Sequence, residues 1–113
     1  MGIVLAPIQP SLLQDWKEWN NEVVTSRGDD FKDLNTRMQL TTHRVWLAET
    51  PDGPMAAVLH EGPGESEFMQ KVAHSDHPFD KWFRESITKF HGVDFSKPPP
   101  GPMPELVMSW KAE

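Results

Sequence analysis

Apolar residues recur along this chain with two different periods, and each change of period marks an element. Residues 2–9 (GIVLAPIQ) form a short apolar run with β-branched members. This predicts a first strand, with Pro7 near its end. Beyond Pro10 the spacing changes. Leu12, Trp16, Trp19 and Val23 follow at intervals of four, three and four, and Leu13 and Val24 widen the stripe. That is a helix with a broad buried face. Ser11 and Gln14 have capping-box spacing. Arg27-Gly28 reads as a helix end, where glycine accepts the left-handed conformation. Asp29 or Asp30 then caps a second piece whose stripe is Phe31, Leu34 and Met38. One broken helix over 11–40 and two separate helices fit this pattern equally.

Residues 43–49 (HRVWLAE) alternate and predict a second strand. Thr50-Pro51-Asp52-Gly53 is a turn signal, and residues 54–60 (PMAAVLH) predict a third strand, closing a β-hairpin. Gly62-Pro63-Gly64 breaks that strand. A short helix follows with Phe68, Met69 and Val72 inward. Asp76-His77-Pro78 restarts it, because proline suits a first helical turn. Phe79, Trp82, Phe83, Ile87 and Phe90 make the strongest stripe in the chain, and Gly92 ends it. Residues 93–104 hold five prolines and read as a stiff connector with polyproline character. Residues 105–111 (ELVMSWK) set Leu106, Met108 and Trp110 against Val107, Ser109 and Lys111, which predicts a fourth strand.

The predicted order is β-α-β-β-α-β, so the fold class is α+β. It implies a ferredoxin-like sandwich, in which right-handed crossovers put the helices on one face of an antiparallel four-stranded sheet. The other sheet face has no cover within the chain. Strand 2 is apolar on both sides (Val45 and Leu47 against Trp46 and Ala48), and so is strand 4. Two-sided apolar strands call for cover on both faces. The simplest cover is a second copy, sheet against sheet, so a homodimer is expected.

Composition narrows the function. With 113 residues the chain, 1–113, is read as a single domain. No cysteine means no disulfide framework, Cys-ligated zinc or thiol nucleophile, and no tyrosine removes the phenol as an acid–base group. Eleven basic against 17 acidic residues give a formal charge of −6, which argues against a nucleic-acid partner. No run approaches the length of a membrane span. The N-terminus lacks the basic lead of a secretory signal. Met1-Gly2 carries Ala6 where a myristoylation site wants Ser or Thr. A cytoplasmic protein is expected.

The His77-Pro78-Phe79-Asp80-Lys81-Trp82 segment and the tryptophan-bearing final run Leu106 to Lys111, set in this element order, resemble the dimeric α+β barrel superfamily. Within it, the chain looks like the small uncharacterised members. The resemblance implies two ferredoxin-like chains packed sheet to sheet into a barrel. It also implies ligands held between helices and sheet or near the barrel. Characterised relatives include cofactor-independent monooxygenases, aromatic polyketide cyclases, haem-degrading enzymes and stress-response proteins. The haem-degrading pattern wants an Asn on the first strand, which residues 2–9 lack. The cyclase pattern wants a Tyr beside a His. No specific activity transfers, and no cofactor is implied.

Five histidines carry the candidate chemistry. His77, three residues from Asp80, suits a general base oriented by a carboxylate; equally, it and Asp76 suit a helix cap with Asp80 complementing the dipole. His74, His77 and Asp80 have a spacing of three, but Pro78 interrupts the helix a shared metal would need, so no metal site is assigned. His43 and His60 end the two hairpin strands and either face each other or point to solvent. His91 reads as a helix C-terminal residue. Trp16, Trp19, Met38, Trp46, Met69, Trp82, Phe83 and Met108 are core candidates that also suit the lining of an apolar cavity. Such a cavity would take a fatty-acid-like or polyketide-like molecule. There is no phosphate loop and no nucleophile elbow. Three functions follow: a homodimeric binder of an apolar small molecule, a cyclase or monooxygenase with a histidine base, or an interaction protein that uses residues 98–104 as a polyproline ligand.

Overall fold

The computed structural model describes residues 2–92, 105–110 and 112. The chain runs β1 (Gly2–Pro7), a 3-10 turn (Pro10–Leu12), α1 (Leu13–Val24), α2 (Gly28–Arg37), β2 (Thr42–Thr50), β3 (Gly53–Glu61), α3 (Phe68–His74) and α4 (Pro78–His91). The three strands form one antiparallel sheet in the order β1-β3-β2. This is an α+β fold, and the expected hairpin is its β2–β3 half.

Register decides which side chains share a face, because directly opposed residues point the same way. Val4 opposes Val58, Ala6 opposes Ala56, and Gly2 opposes His60. His43 opposes His60, and Leu47 opposes Ala56. This set lies under the helices, where Ala56 and His60 are buried. The alternate set faces away from them. On it Ile3, Leu5 and Trp46 are 39%, 53% and 51% exposed, and Ala57 and Leu59 lie between them.

Two buried clusters fill the helix side. One joins Val23, Leu34, Met38, Leu40, Phe68, Val72, Phe79 and Phe83. The other joins Ile8, Trp16, Ala56 and Phe90. The end of α4 is tied to the end of β1: Gln9 N–H donates to the Phe90 carbonyl (3.0 Å), and Gln9 Nε2 donates to the Lys89 carbonyl (2.9 Å). His91 Nδ1 lies 2.8 Å from the Pro7 carbonyl. The segment after α2 is pressed against the segment after β3. Gly64 N–H donates to the Gln39 carbonyl (3.1 Å), and a Cβ on Gly64 would overlap the Met38 carbonyl. Only glycine allows that approach.

Several expectations are corrected. Residues 105–110 belong to no strand, and Leu106, Val107, Met108 and Trp110 are 66–87% exposed. Alternation is necessary for a strand but does not make one without a paired edge. Ser11 makes no cap. The 3-10 turn satisfies the backbone there, with Leu12 N–H on the Gln9 carbonyl and Leu13 N–H on that of Pro10. Gly28 begins α2 rather than ending α1, and Asp29 and Asp30 lie in its first turn with no side-chain cap bond. There they complement the positive end of the helix dipole. The open choice over 11–40 resolves to two helices. His77 caps α4 and Gly92 ends it at φ 65°, as the spacing implied. The proline-rich connector, residues 93–104, lies outside the described residues.

Candidate functional site

The most unusual polar feature sits between sheet and helices. His43 and His60 face each other across β2 and β3, with ring centroids 4.6 Å apart at 78°. Aromatic rings surround them. Phe31 on α2 is 5.0 Å from His43, Phe68 on α3 is 4.4 Å from His60 and 5.3 Å from His43, and Phe83 on α4 is 6.3 Å from His43. His60 is 3% exposed. His43 Nδ1 lies 2.9 Å from Asn35 Oδ1. With the proton on Nδ1 donated to that oxygen, Nε2 of His43 is left as a lone-pair acceptor. Burial pushes His43 down to about 3, helped by the neighbouring His60. Burial pushes His60 down to about 4, against the pull of Glu65. Both imidazoles are therefore neutral at pH 7.

His77 and Asp80 belong to a different construction. Asp80 is fully buried, and Arg37 holds it from α2 with two hydrogen bonds of 2.8 and 2.9 Å. Ser75 Oγ donates a third at 2.6 Å. Burial pushes the carboxyl up, but the Arg37 and Ser75 hydrogen bonds outweigh it and hold the group below its ordinary range. The same contact raises the Arg37 guanidinium. His77 Nδ1 accepts the Phe79 N–H (3.3 Å) as the α4 cap. It lies 3.9 Å from Asp80 Oδ1, and Nε2 lies 3.9 Å from Asp33 Oδ2. These distances are too long for hydrogen bonds. The cluster clamps α2 to α4. Among the described residues, no group of three or more His, Asp or Glu is arranged to hold a metal ion.

A third feature is a surface groove of about 290 Å³ between α1 and α4. Trp19, Trp82 and Phe90 are its aromatic lining. Asp15, Glu18 and Glu22 stand on the α1 side, with Ser86 and Lys89 on the other. Trp19 packs against Trp82, Phe83 and Phe90 at centroid distances of 5.4–6.0 Å. Its indole Nε1 is buried, with no hydrogen-bond partner among the described residues. Arg27 covers part of the Trp82 ring at 4.2 Å, a cation–π contact.

The expected apolar lining therefore divides. Trp16, Met38 and Phe83 are core, and Met69 packs against the cluster that holds Met38 and Phe83. Trp19 and Trp82 line the groove. Trp46 lies on the outer sheet face, and Met108 is on the exposed segment. The residues bring together two places rather than one cavity. Asn35 and Arg37 were missed. Asn35 lies four residues after Phe31, on the same helix face, and Asn is a poor choice inside a helix unless its amide has a task. Arg37 gave no such signal. Comparison with protein-family models, curated proteins and solved structures returns no match for this chain.

Proposed function

We propose that this chain is a homodimeric binder of a flat apolar small molecule, built on a ferredoxin-like plan. In this reading the outer sheet faces of two copies mate, each covering the exposed apolar residues of the other. The groove between α1 and α4 carries the binding part. Two tryptophans and a phenylalanine share the lining of this open groove with three carboxylates, a serine and a lysine, and the aromatic part gives stacking area at little entropic cost. An aromatic, polyketide-like molecule suits it better than a flexible acyl chain. Titration with naphthalene-type aromatics and with fatty acids, followed by tryptophan fluorescence and by mass spectrometry of ligands released from purified protein, tests this. Aromatic binding that weakens at least tenfold in Trp82→Ala supports it. No binding by either class ends it.

A second reading, a cofactor-independent cyclase or monooxygenase, draws support from His43. A neutral imidazole whose Nδ1 is fixed by Asn35 presents Nε2 as a base, and aromatic surroundings exclude water. Under this reading His43→Gln abolishes turnover of an aromatic substrate with the fold unchanged. Unaltered turnover removes it.

A further inference from the structure

We propose that the facing His43–His60 pair is an acid-sensitive latch that holds the start of α3 on the sheet. The geometry puts the two rings directly opposite in register and lays Phe68 across both. Phe68 is the first residue of α3 and is 2% exposed, so it is the anchor of that end. The other end is held separately: Arg84 Nη1 donates to the carbonyls of Val72 (2.7 Å), Ala73 (2.9 Å) and Ser75 (3.2 Å). With Phe68 released, α3 would stay attached at its C-terminal end and swing from there.

An imidazolium at this place has little to meet it. The elements packed on the pair present Asn35 and Phe31 from α2, Phe68 from α3 and Phe83 from α4, none of which titrates in this range. Among the described residues the charged group acting on His60 is Glu65, before α3, which favours a proton there and whose carboxylate also accepts the Gly62 N–H (3.1 Å). A charge on either ring repels a charge on the other at this spacing.

The sign follows from the two states. Closed, the rings resist protonation, being pushed down to about 3 and about 4. Open to water, each returns to about 6.5. Each proton taken up on opening multiplies the open population by up to about tenfold per pH unit below 6.5. The closed arrangement is intact at neutral pH and weakens as pH falls.

Amide hydrogen exchange of the full chain at pH 7 and pH 5, corrected for the intrinsic pH dependence of exchange, is the test. The expected result is at least a tenfold rise in opening over residues 65–74, with α1 and the β1–β3 ladder unchanged. The double variant His43→Gln, His60→Phe should lose that rise. No rise, an equal rise in the double variant, or a rise spread evenly over every element would each overturn the latch. Should the variant not fold, NMR titration of the wild-type imidazoles decides. Both rings staying neutral to pH 5 while α3 is closed supports it, and either ring titrating near 6.5 in the closed state overturns it.

Discussion

Asp80 shows how one residue's surroundings settle its work. Both of its oxygens are engaged, by Arg37 and by Ser75, at full burial. A carboxylate bound this way is a fastener between α2 and α4. Its charge needs Arg37, whereas Arg37 also pairs with Asp33 through Nε (2.7 Å); a buried carboxylate that loses its partner costs about 3–5 kcal/mol. Part of Arg37 reaches solvent, so the low end applies. Arg37→Ala, which strands the buried carboxylate, should lower stability by about 3 kcal/mol in urea unfolding at pH 7, and a loss under 1 kcal/mol would show the clamp to be idle. The folded carboxyl is held below its ordinary 3.8. Its contribution is therefore full above that value and disappears as pH falls through the lower one, so the variant's deficit should shrink below about pH 4. Acid effects between pH 6.5 and 4 belong instead to His43, His60 and His91, which burial pushes down.

Periodicity was informative where a local pattern determines the element. The α4 stripe, its start at His77-Pro78 and its end at Gly92 were legible because capping and helix spacing are near-neighbour physics. The hairpin was legible for the same reason, through its turn residues. Boundaries failed where a backbone alternative competes. At Ser11 a 3-10 turn took over the work of a side-chain cap. The last apolar run failed differently, since its alternation is real but a strand also needs an edge, and an edge is tertiary information. The candidate site was half legible. His43 and His60 could be named from the sequence, but not that register sets them face to face, nor that Asn35 holds one of them. Those facts depend on which residue of β2 opposes which residue of β3, and on how α2 lies over the sheet.

At the scale of the whole molecule the outer sheet face dominates. Ile3, Leu5 and Trp46 are exposed on a sheet whose central positions there are Ala57 and Leu59. Under the proposed dimer this face is the contact surface, with Arg44 opposite Leu59 on it as its charged member. Among the described residues no helix is long and apolar enough to cross a membrane, so a bilayer-spanning helix does not account for the apolar surface. The proposed dimer predicts twice the chain mass of 12.9 kDa in light scattering. Trp46→Glu should return the protein to a single chain with its circular dichroism unchanged. A wild-type protein that scatters as one chain at tens of micromolar would refute the mating of the sheets.

The tie between Pro7 or Gln9 and the end of α4 has a kinetic side. It closes a loop of 80 to 84 residues, whereas the Thr41–Glu61 contact closes one of about twenty. Loop entropy grows only as a logarithm, about 0.6 kcal/mol per doubling, so the longer closure is only about 1.2 kcal/mol harder. What it changes is order. The hairpin and the helix stripes can form from nearby residues, but the clasp waits until both ends of the fold exist and have found the same place.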